Sequence, residues 1–351
     1  MQPIRLLILG TGSMAQHHAT HFAKIPGVTL VGGVDPRPEQ LAAFCRHNNI
    51  PSSFATLDAA LAWGEFDAVT NVTPDAAHYP TTMPVLAARK HILCEKPLAT
   101  SAGHAQEMAD AAAKAGVVNM VNLSYRNVPA LQQAARMVRD GTLGAVRHFE
   151  ASYLQSWLTQ PAWGDWRTES QWLWRLSTAH GSKGVLGDVG IHILDFTTFI
   201  AGQDAGEVSC RLSTFEKAPG GRIGDYVLDA NDSATMQIIL KNGALGTVAA
   251  TRFASGHMND LRLRLYGDLG GLEVSFENSV SRLRACTGVN MHSATWEDVD
   301  CPPVATVYER FIEAIRNGGG GEPDFARGAA LQRLLDQAEL SALQSGLSLA
   351  A

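Results

Sequence analysis

The chain has 351 residues, of which 46% are hydrophobic and 18% are charged, and its 28 basic and 34 acidic side chains give a formal charge of -6. This composition excludes a disordered, collagen-like or supercharged protein, and the length predicts about two domains on a scale of ~150 residues each. Because the chain is mildly acidic and its basic residues are not clustered, we expect neither nucleic acid nor a membrane surface as a partner.

The cysteines and the N-terminus indicate the compartment. The five cysteines are scattered singly, without a Cys-x-x-Cys pair, which argues against a disulfide framework and a zinc–thiolate site. The apolar run Leu6–Leu9 is shorter than the core of a signal peptide, and no stretch approaches the ~20 apolar residues of a membrane span. We therefore expect a soluble protein of a reducing, cytoplasmic compartment.

Short apolar runs alternate with helical segments in the first third of the chain. The predicted strands are Ile4–Leu9, Val28–Val34, Phe66–Val72, His91–Cys94 and Val117–Asn122. The predicted helices are Ser13–Lys24, Pro38–His47, Thr81–Ala88 and Ser101–Ala115. Apolar strands that alternate with helices are typical of a parallel sheet covered on both faces, so residues 1–124 are predicted to form a doubly wound α/β domain.

The pattern changes after about residue 125. One helix is predicted over Pro129–Asp140, and a last amphipathic helix, Phe325–Gln344, follows the glycine run 318–321. The strand-like runs between them are Val146–Tyr153, Val208–Phe215, Ser233–Leu240, Gly246–Phe253, Asp260–Tyr266 and Gly271–Phe276. Several alternate apolar and polar residues, as a half-buried antiparallel strand does, so residues 125–351 are predicted to form an α+β domain with a large open sheet.

A glycine-rich segment, Gly10-Thr11-Gly12-Ser13-Met14-Ala15, fits the pattern G-x-G-x-x-A between the first strand and the first helix. The first glycine permits a tight turn, the second lets a pyrophosphate approach the backbone, and the helix N-terminus favours the anion. In a chain with 33 glycines the pattern alone is weak, but its strand–turn–helix context supports a dinucleotide site.

Asp35 ends the second predicted strand, near the distance from the glycines that is expected of a ribose-binding carboxylate. A carboxylate there accepts the ribose 2′-hydroxyl and repels a 2′-phosphate, so we predict NAD as the cofactor rather than NADP. The alternative is that Asp35-Pro36 is only a strand-ending turn, and Arg37 nearby would soften the preference.

Further motifs follow in order: Val72-Thr73-Pro74 with His78, Glu95-Lys96-Pro97, and a segment from Gly184 to Asp195 that contains Asp188 and His192. With the glycine loop, they resemble the Gfo/Idh/MocA oxidoreductases, the family of glucose-fructose oxidoreductase and inositol dehydrogenase, over nearly the whole chain. The resemblance implies an N-terminal Rossmann domain and a C-terminal domain whose open sheet forms the contacts of a homo-oligomer, a dimer or tetramer. It also implies oxidation of a hydroxyl, or reduction of a carbonyl, on a sugar, a cyclitol or a related small molecule.

Hydride transfer from a carbinol requires a base, and His192 is the best candidate because histidine cycles its proton near neutral pH. Asp188 lies four residues earlier and shares a face with His192 if the segment is helical, where a carboxylate would orient the imidazole; Asp195 lies near the same face. The alternative is a structural Asp188 that caps a helix over a packed His192.

Lys96 follows a buried predicted strand, at whose carboxyl end ligands bind in such sheets, so its ammonium can stabilise a developing alkoxide. The alternative is a solvated lysine at a turn. By resemblance, Lys96 completes the catalytic set with Asp188 and His192, Glu95 helps to hold the cofactor, and Thr73, Pro74 and His78 line the cofactor cleft. We expect Lys96 from one domain and the Asp188/His192 pair from the other to converge on one carbinol.

Arg126 and a group of three histidines are further candidates with open alternatives. Arg126, beside Tyr125, is predicted to reach cofactor or substrate, or else to form an interdomain ion pair. His17, His18 and His21 suggest a metal site, but they have no acidic or thiol partner nearby in the sequence, so we expect no metal.

Five of the seven tryptophans lie between Trp157 and Trp174. This tryptophan-rich segment is interpreted either as a platform for a sugar ring, with Trp163 and Trp166 among the substrate contacts, or as an arm that packs on another subunit.

The leading functional hypothesis is an NAD-dependent dehydrogenase that acts on a sugar, cyclitol or glycoside hydroxyl. One alternative is an NAD-dependent glycoside hydrolase, which oxidises the substrate transiently, eliminates the aglycone and returns the cofactor unchanged. The other is a non-catalytic regulator that senses the dinucleotide, although such a protein has no need of a proton relay.

Overall fold

The computed structural model of the chain describes residues 3–161 and 163–351. Two compact units are present, one formed by residues up to Ser124 with Ala305–Gln332 and the other by Tyr125–Val304 with Arg333–Ala351. The sequence predicts a second domain that runs uninterrupted over 125–351, whereas the structure assigns 305–332 to the first unit.

A six-stranded sheet forms the centre of the first unit. Its strands are β1 Ile4–Leu9, β2 Val28–Val34, β3 Ser52–Phe54, β4 Ala68–Asn71, β5 His91–Cys94 and β6 Asn119–Val121. They are all parallel and lie in the order β3-β2-β1-β4-β5-β6. The helices between them are α1 Ser13–Phe22, α2 Pro38–His47, α3 Leu57–Trp63, α4 Asp75–Ala87 and α5 Ala102–Ala115. This is the predicted doubly wound class, which the structure confirms.

The strand order reverses between β1 and β4, because the chain after β1 winds outward in one direction and the chain after β4 in the other. Ligands of open α/β sheets bind outside the carboxyl ends of the strands at this reversal. The glycine loop follows β1, Thr73 follows β4, and Lys96 follows β5. The topology therefore places the three motifs at one edge of the sheet.

Residues 305–332 join the first unit through a helix that the sequence analysis missed, α10 Val307–Asn317. Thr306 and Glu309 form a capping box at its start. Its apolar face packs on α1, where Phe22 contacts Tyr308 and Phe311 with ring centroids 5.2 and 6.2 Å apart. This apolar face, buried against α1, is the physical reason why the segment leaves the second unit.

A nine-stranded sheet dominates the second unit. Its strands are β7 Val146–Leu154, β8 Ala205–Ser213, β11 Ser233–Leu240, β12 Leu245–Thr251, β13 Asp260–Gly267, β14 Gly270–Glu277, β15 Val280–Thr287, β16 Glu297–Asp298 and β17 Leu349–Ala350. Its order is β16-β15-β14-β13-β7-β12-β11-β8-β17. Among the described strands of this sheet, only the β7–β12 pair is parallel. The short strands β9 Arg222–Ile223 and β10 Tyr226–Val227 form a separate pair.

One face of this large sheet is buried by helices. The helices of the second half of the chain are α6 Pro129–Arg139, α7 Ser170–Leu173, α8 Ile191–Ala201, α9 Asn290–Ser293 and α11 Phe325–Leu343. α8 packs on β7, β12 and β13, and α6 packs on β14 and β15. On β13 the predicted alternation is observed, since Leu261, Leu263 and Leu265 are buried while Arg262 points away from the core. Among the described helices, none has the length and apolar character needed to cross a membrane.

Candidate functional site

The glycine loop after β1 leaves an open helix N-terminus. Gly10 has a φ of +91°, and a Cβ there would lie 2.7 Å from the carbonyl oxygen of Val72, so the turn requires glycine. Gly12 is the N-cap of α1 and has a φ of −74°, which any residue can adopt. A Cβ on it would meet no heavy atom of the described residues within 4 Å, so the protein itself leaves this space open. This space in front of a helix N-terminus fits the pyrophosphate of a dinucleotide.

Asp35 lies beside this loop as a buried, ionised carboxylate that is only 2% exposed. Its oxygens accept hydrogen bonds from the Thr11 amide and hydroxyl at 2.9 and 2.8 Å, and from Nε and Nη2 of Arg37, both at 2.8 Å. Burial opposes ionisation, but the hydrogen bonds from Arg37 and Thr11 outweigh it and hold the pKa of Asp35 well below its usual range. The Arg37 amide also donates to Asp35, so the strand-ending turn of the alternative interpretation is present as well.

His78 joins the loops that follow β4 and β5. Its Nδ1 lies 2.7 Å from the carbonyl oxygen of Pro97, and its Nε2 lies 2.9 Å from that of Thr73. Burial lowers the pKa of His78, but Cys94 and Asp75 nearby outweigh burial and raise it to about 10, so an imidazolium donates to both carbonyls. His78 is fully buried. His78 therefore links the two loops from the protein interior, whereas the sequence analysis predicts that it lines the cofactor cleft.

Glu95 is the centre of a buried polar cluster at the carboxyl ends of β5 and β6. Its carboxylate lies 2.8 Å from Nε2 of His18 and accepts hydrogen bonds from Nδ2 of Asn122 at 2.6 Å and from the Lys96 amide at 3.1 Å. Nδ1 of His18 lies 2.6 Å from the hydroxyl of Thr70. Burial raises the pKa of Glu95, but His18, Asn122 and the charge of Lys96 lower it to about 2. Glu95 is thus a fixed anion directly before the partly exposed Lys96.

His18 belongs to this cluster and does not form a site with His17 and His21. The rings of His17 and His21 stack on each other with centroids 6.3 Å apart, and His21 also stacks on Tyr308 at 4.6 Å. Within the described part of the chain, no group of three or more histidine, cysteine, aspartate or glutamate side chains is arranged to hold a metal ion. The sequence analysis missed the pairing of His18 with Glu95, which joins residues 77 positions apart.

His192 lies at the start of α8, after the π-helical turn Leu186–Gly190 that carries Asp188. The Tyr125 ring contacts the imidazole in a nearly perpendicular arrangement at a centroid distance of 5.0 Å, and the Tyr125 and Tyr153 hydroxyls are 2.5 Å apart. Burial and the charges of Asp188 and Asp260 raise the pKa of Tyr125 to about 12. Tyr125 therefore stays protonated at neutral pH beside the imidazole.

Asp188 is paired with two arginines. Its Oδ2 accepts a hydrogen bond from Nη2 of Arg252 at 3.0 Å and lies 3.7 Å from Nε of Arg175. The Arg252 side chain is fully buried and also donates from Nη1 to the carbonyl oxygen of Arg175 at 3.0 Å. Nothing in the sequence pattern singles out Arg252, which follows β12 and lies 64 positions from Asp188. The sequence analysis therefore missed it.

Arg126, a predicted substrate contact, lies in a buried ion pair. Its Nε and Nη2 donate to the carboxylate of Asp195 at 2.6 and 2.8 Å, and its guanidinium lies 3.5 Å above the Phe199 ring. Arg126 and Asp195 are each 3% exposed. The ion pair offered as the alternative is present, but it lies within the second unit instead of joining two domains.

The tryptophan-rich segment forms a small core of its own. Trp157 and Trp166 are 4% and 3% exposed and pack with leucines of the same region, and Trp163 and Trp172 are partly buried against them. Trp166 is therefore a core residue, which corrects its assignment as a substrate contact. Large aromatic side chains bury much apolar surface, so they can build a core in a segment with little regular structure. Trp174, 37% exposed, stays at the surface.

Family models and known proteins match both parts of the chain. Residues 4–123 match the GFO_IDH_MocA model, described as an oxidoreductase family with an NAD-binding Rossmann fold, and residues 131–273 match the GFO/IDH/MocA C-terminal domain. Levoglucosan dehydrogenase of Pseudarthrobacter phenanthrenivorans is 27% identical over 299 residues, which are 79% of this chain and 75% of that protein. D-glucoside 3-dehydrogenase of Escherichia coli is 30% identical over 216 residues, which are 61% of this chain and 58% of that protein.

Solved structures match over the full length. An oxidoreductase domain protein from Kribbella flavida superposes with a TM-score of 0.86 at 29% identity and covers 100% of this chain and 99% of its own. A levoglucosan dehydrogenase in complex with NADH superposes with a TM-score of 0.87 at 25% identity, over 99% of both chains.

A matched pair of glycine variants tests the fit of the loop to a dinucleotide. We expect Gly12→Ala to bind NADH at least ~10-fold more weakly, because its Cβ enters the space of the anion. Its free energy of unfolding is expected to change by less than ~1 kcal/mol, because the same Cβ touches no protein atom. Gly10→Ala, the control, loses ~1–3 kcal/mol of folding free energy through its φ and its overlap with Val72. NADH fluorescence titration and urea unfolding measure the two effects. Full NADH affinity in Gly12→Ala contradicts the assignment.

The ionised state of Glu95 predicts a pH-dependent difference in stability. Its pKa is about 2 in the folded protein and lies near the ordinary glutamate value in the unfolded chain, so its ionisation stabilises the fold above about pH 4.5. This contribution, on the order of 3 kcal/mol, is lost as the pH falls towards 2. We expect the stability difference between wild type and Glu95→Gln to be largest near pH 6 and to shrink at low pH. A difference in urea unfolding that is independent of pH contradicts it.

Proposed function

Because the chain belongs to the Gfo/Idh/MocA family of oxidoreductases, we propose that it is an NAD-dependent dehydrogenase that moves a hydride between a sugar, cyclitol or glycoside hydroxyl and nicotinamide. The observation that carries the proposal is the open helix N-terminus at Gly12 with the ionised Asp35 beside it. A helix N-terminus suits the pyrophosphate, and a carboxylate suits the ribose hydroxyl of NAD.

The proposed substrate class is a pyranose or a related ring with a free secondary hydroxyl. Two of the relatives are named levoglucosan dehydrogenase and D-glucoside 3-dehydrogenase, and one solved relative is a levoglucosan dehydrogenase in complex with NADH and levoglucosan. These names support a carbohydrate over other alcohols. They leave the oxidised carbon of this protein's own substrate to experiment.

We assign the proton relay to Lys96, Asp188 and His192. His192 removes the hydroxyl proton as the carbon–hydrogen bond breaks, and the ammonium of Lys96 stabilises the developing alkoxide. Asp188 contributes a negative charge that favours the imidazolium. NAD, when bound, supplies the hydride acceptor. Glu95 fixes the backbone of Lys96 by accepting its amide hydrogen.

The residues proposed to contact the cofactor are Gly10, Thr11, Gly12, Ser13, Met14, Asp35, Arg37, Thr73, Pro74, Glu95 and Lys96. His78 is proposed to hold the loops that carry Thr73 and Pro97. Trp163 stays a proposed substrate contact. Arg126 and Trp166 are left out because the Arg126 guanidinium is paired with Asp195 and Trp166 packs in the core of the tryptophan-rich segment. The homo-oligomer and the cytoplasmic location implied earlier stay predictions.

Turnover with a panel of levoglucosan, D-glucosides and inositols tests the reaction. We expect NADH to accumulate, and Lys96→Met and His192→Asn to lower kcat by ~10²–10⁴-fold because each removes a group of the relay. Lys114→Met and His292→Asn, which alter exposed residues of the same types, serve as controls and keep full activity.

The outcome also separates the other hypotheses. Glycoside cleavage with catalytic NAD and no accumulated NADH identifies the hydrolase instead. Full activity of both relay variants refutes the assignment of the relay.

Replacement of the Asp35 carboxylate tests the cofactor preference. We expect the wild type to use NAD in preference to NADP, and Asp35→Asn to shift the ratio of kcat/KM values towards NADP by ~10-fold or more. The shift has a physical cause, since the variant removes the charge that repels a 2′-phosphate and frees the Arg37 guanidinium to bind it. Steady-state rates with the two cofactors give the ratio. A wild-type preference for NADP contradicts the role of Asp35.

A further inference from the structure

We propose that Arg252 is a positioning residue of the proton relay, which fixes the Asp188 carboxylate and moderates the negative potential that Asp188 exerts on His192. The inference rests on the proposed function, because it assigns a task to Arg252 only if Asp188 and His192 serve in catalysis. It starts from the short contact between Arg252 Nη2 and Asp188 Oδ2, at 3.0 Å.

Arg252 is held rigidly by several parts of the second unit. Its backbone amide donates to the carbonyl oxygen of Asp232 at 3.0 Å, directly after β12. Its Nη1 donates to the carbonyl oxygen of Arg175, and its guanidinium lies 5.1 Å from the centre of the Trp157 ring. The backbone bond and the two guanidinium contacts fix the direction in which Nη2 points. The Asp188 carboxylate is therefore oriented by a group that is itself held in place.

Fold stability gives a poor reason for an arginine at this position. The side chain is 0% exposed, and its Nε hydrogen has no acceptor among the described residues. Burial lowers the pKa of Arg252, although a guanidinium stays charged in proteins. A buried ion pair with an unsatisfied donor contributes little to stability relative to an apolar side chain of similar volume. Methionine would fill the same space beside Trp157.

The charge of Arg252 matters because Asp188 acts on the surroundings of His192. The rings of Tyr125 and His192 are in contact, nearly perpendicular to each other, and the charge of Asp188 raises the pKa of the same tyrosine. A positive charge 3.0 Å from the carboxylate offsets part of its field. Without Arg252, the potential near His192 becomes more negative, so the imidazole holds its proton more tightly and is a free base only at higher pH.

Other charged or titratable groups around α8 are the same with and without this arginine. Those near the buried face of α8 are Tyr125, Tyr153, Asp188, Arg175, Asp260, Asp195 and Arg126. The charged or titratable residues Arg147, His148, Glu150, Arg262 and Arg264 of β7 and β13 alternate with the buried residues of these strands and lie on the other face of the sheet. Arg136 and Arg139 of α6 are on its exposed side. A change confined to Arg252 therefore isolates its own contribution.

The experiment compares Arg252→Met, which removes the charge, with Arg252→Lys, which keeps it. In the pH profile of kcat, we expect the acidic limb of Arg252→Met to move up by about one pH unit, which lowers kcat at neutral pH by up to ~10-fold. Arg252→Lys returns the limb to its wild-type position. Arg264→Met, which alters an arginine paired with Glu273 on the sheet, is the control and leaves the limb unchanged.

A second measurement needs no substrate. Histidine-selective NMR, with the His192 signal assigned through His192→Asn, follows the titration midpoint of His192 in each variant. An upward shift in Arg252→Met supports the inference even if no sugar is oxidised, in which case only the proposed function fails. If Arg252→Met does not fold, Arg252→Gln provides the neutral variant. Unchanged midpoints and pH profiles, with only a loss of unfolding free energy, show a structural role and overturn the inference.

Discussion

The reversal of strand order between β1 and β4 is the constraint on which the cofactor site depends. A parallel sheet points all its carboxyl ends to one edge, and the reversal opens a crevice there because the two halves wind away from each other. The loops after β1, β4 and β5 all begin at this edge. Their residues are thus brought to one edge by the backbone hydrogen bonding of the strands.

Buried carboxylates that stay ionised are the second recurring feature. Asp35 and Glu95 are each paired with a cation or with several hydrogen-bond donors. Burial alone would favour the neutral acid, so each anion persists only because its partners outweigh desolvation. The partners are Arg37 for Asp35 and His18 for Glu95, and the half-buried Asp188 is likewise paired with Arg252. A site built in this way keeps its charge pattern over a wide range of pH, and it orients each oxygen before a ligand arrives.

In the second unit, too, a sheet and the helices packed on it position the proposed site residues. Its large sheet is buried on one face by α6 and α8. α8 carries His192, whose ring contacts those of Tyr125 and Tyr153. The π-helical turn before α8 departs from the helical spacing that the sequence analysis assumes for Asp188 and His192. Asp188 on this turn contacts Arg252 and Arg175, so its carboxylate belongs to a wider charge network.

The sequence by itself determined the α/β class, most strands of both sheets, the glycine loop and the family motifs, because periodicity and turn chemistry are local properties of the chain. Thr306 and Glu309 have the spacing of a capping box, which could have indicated the start of α10, but the sequence analysis missed this helix. Only the tertiary structure decided that α10 joins the first unit, that His18 binds Glu95, that Trp166 is a core residue, and that Arg252 faces Asp188. The partners in the two charge pairs lie far apart in the chain, and no local sequence pattern shows which charged residues will meet.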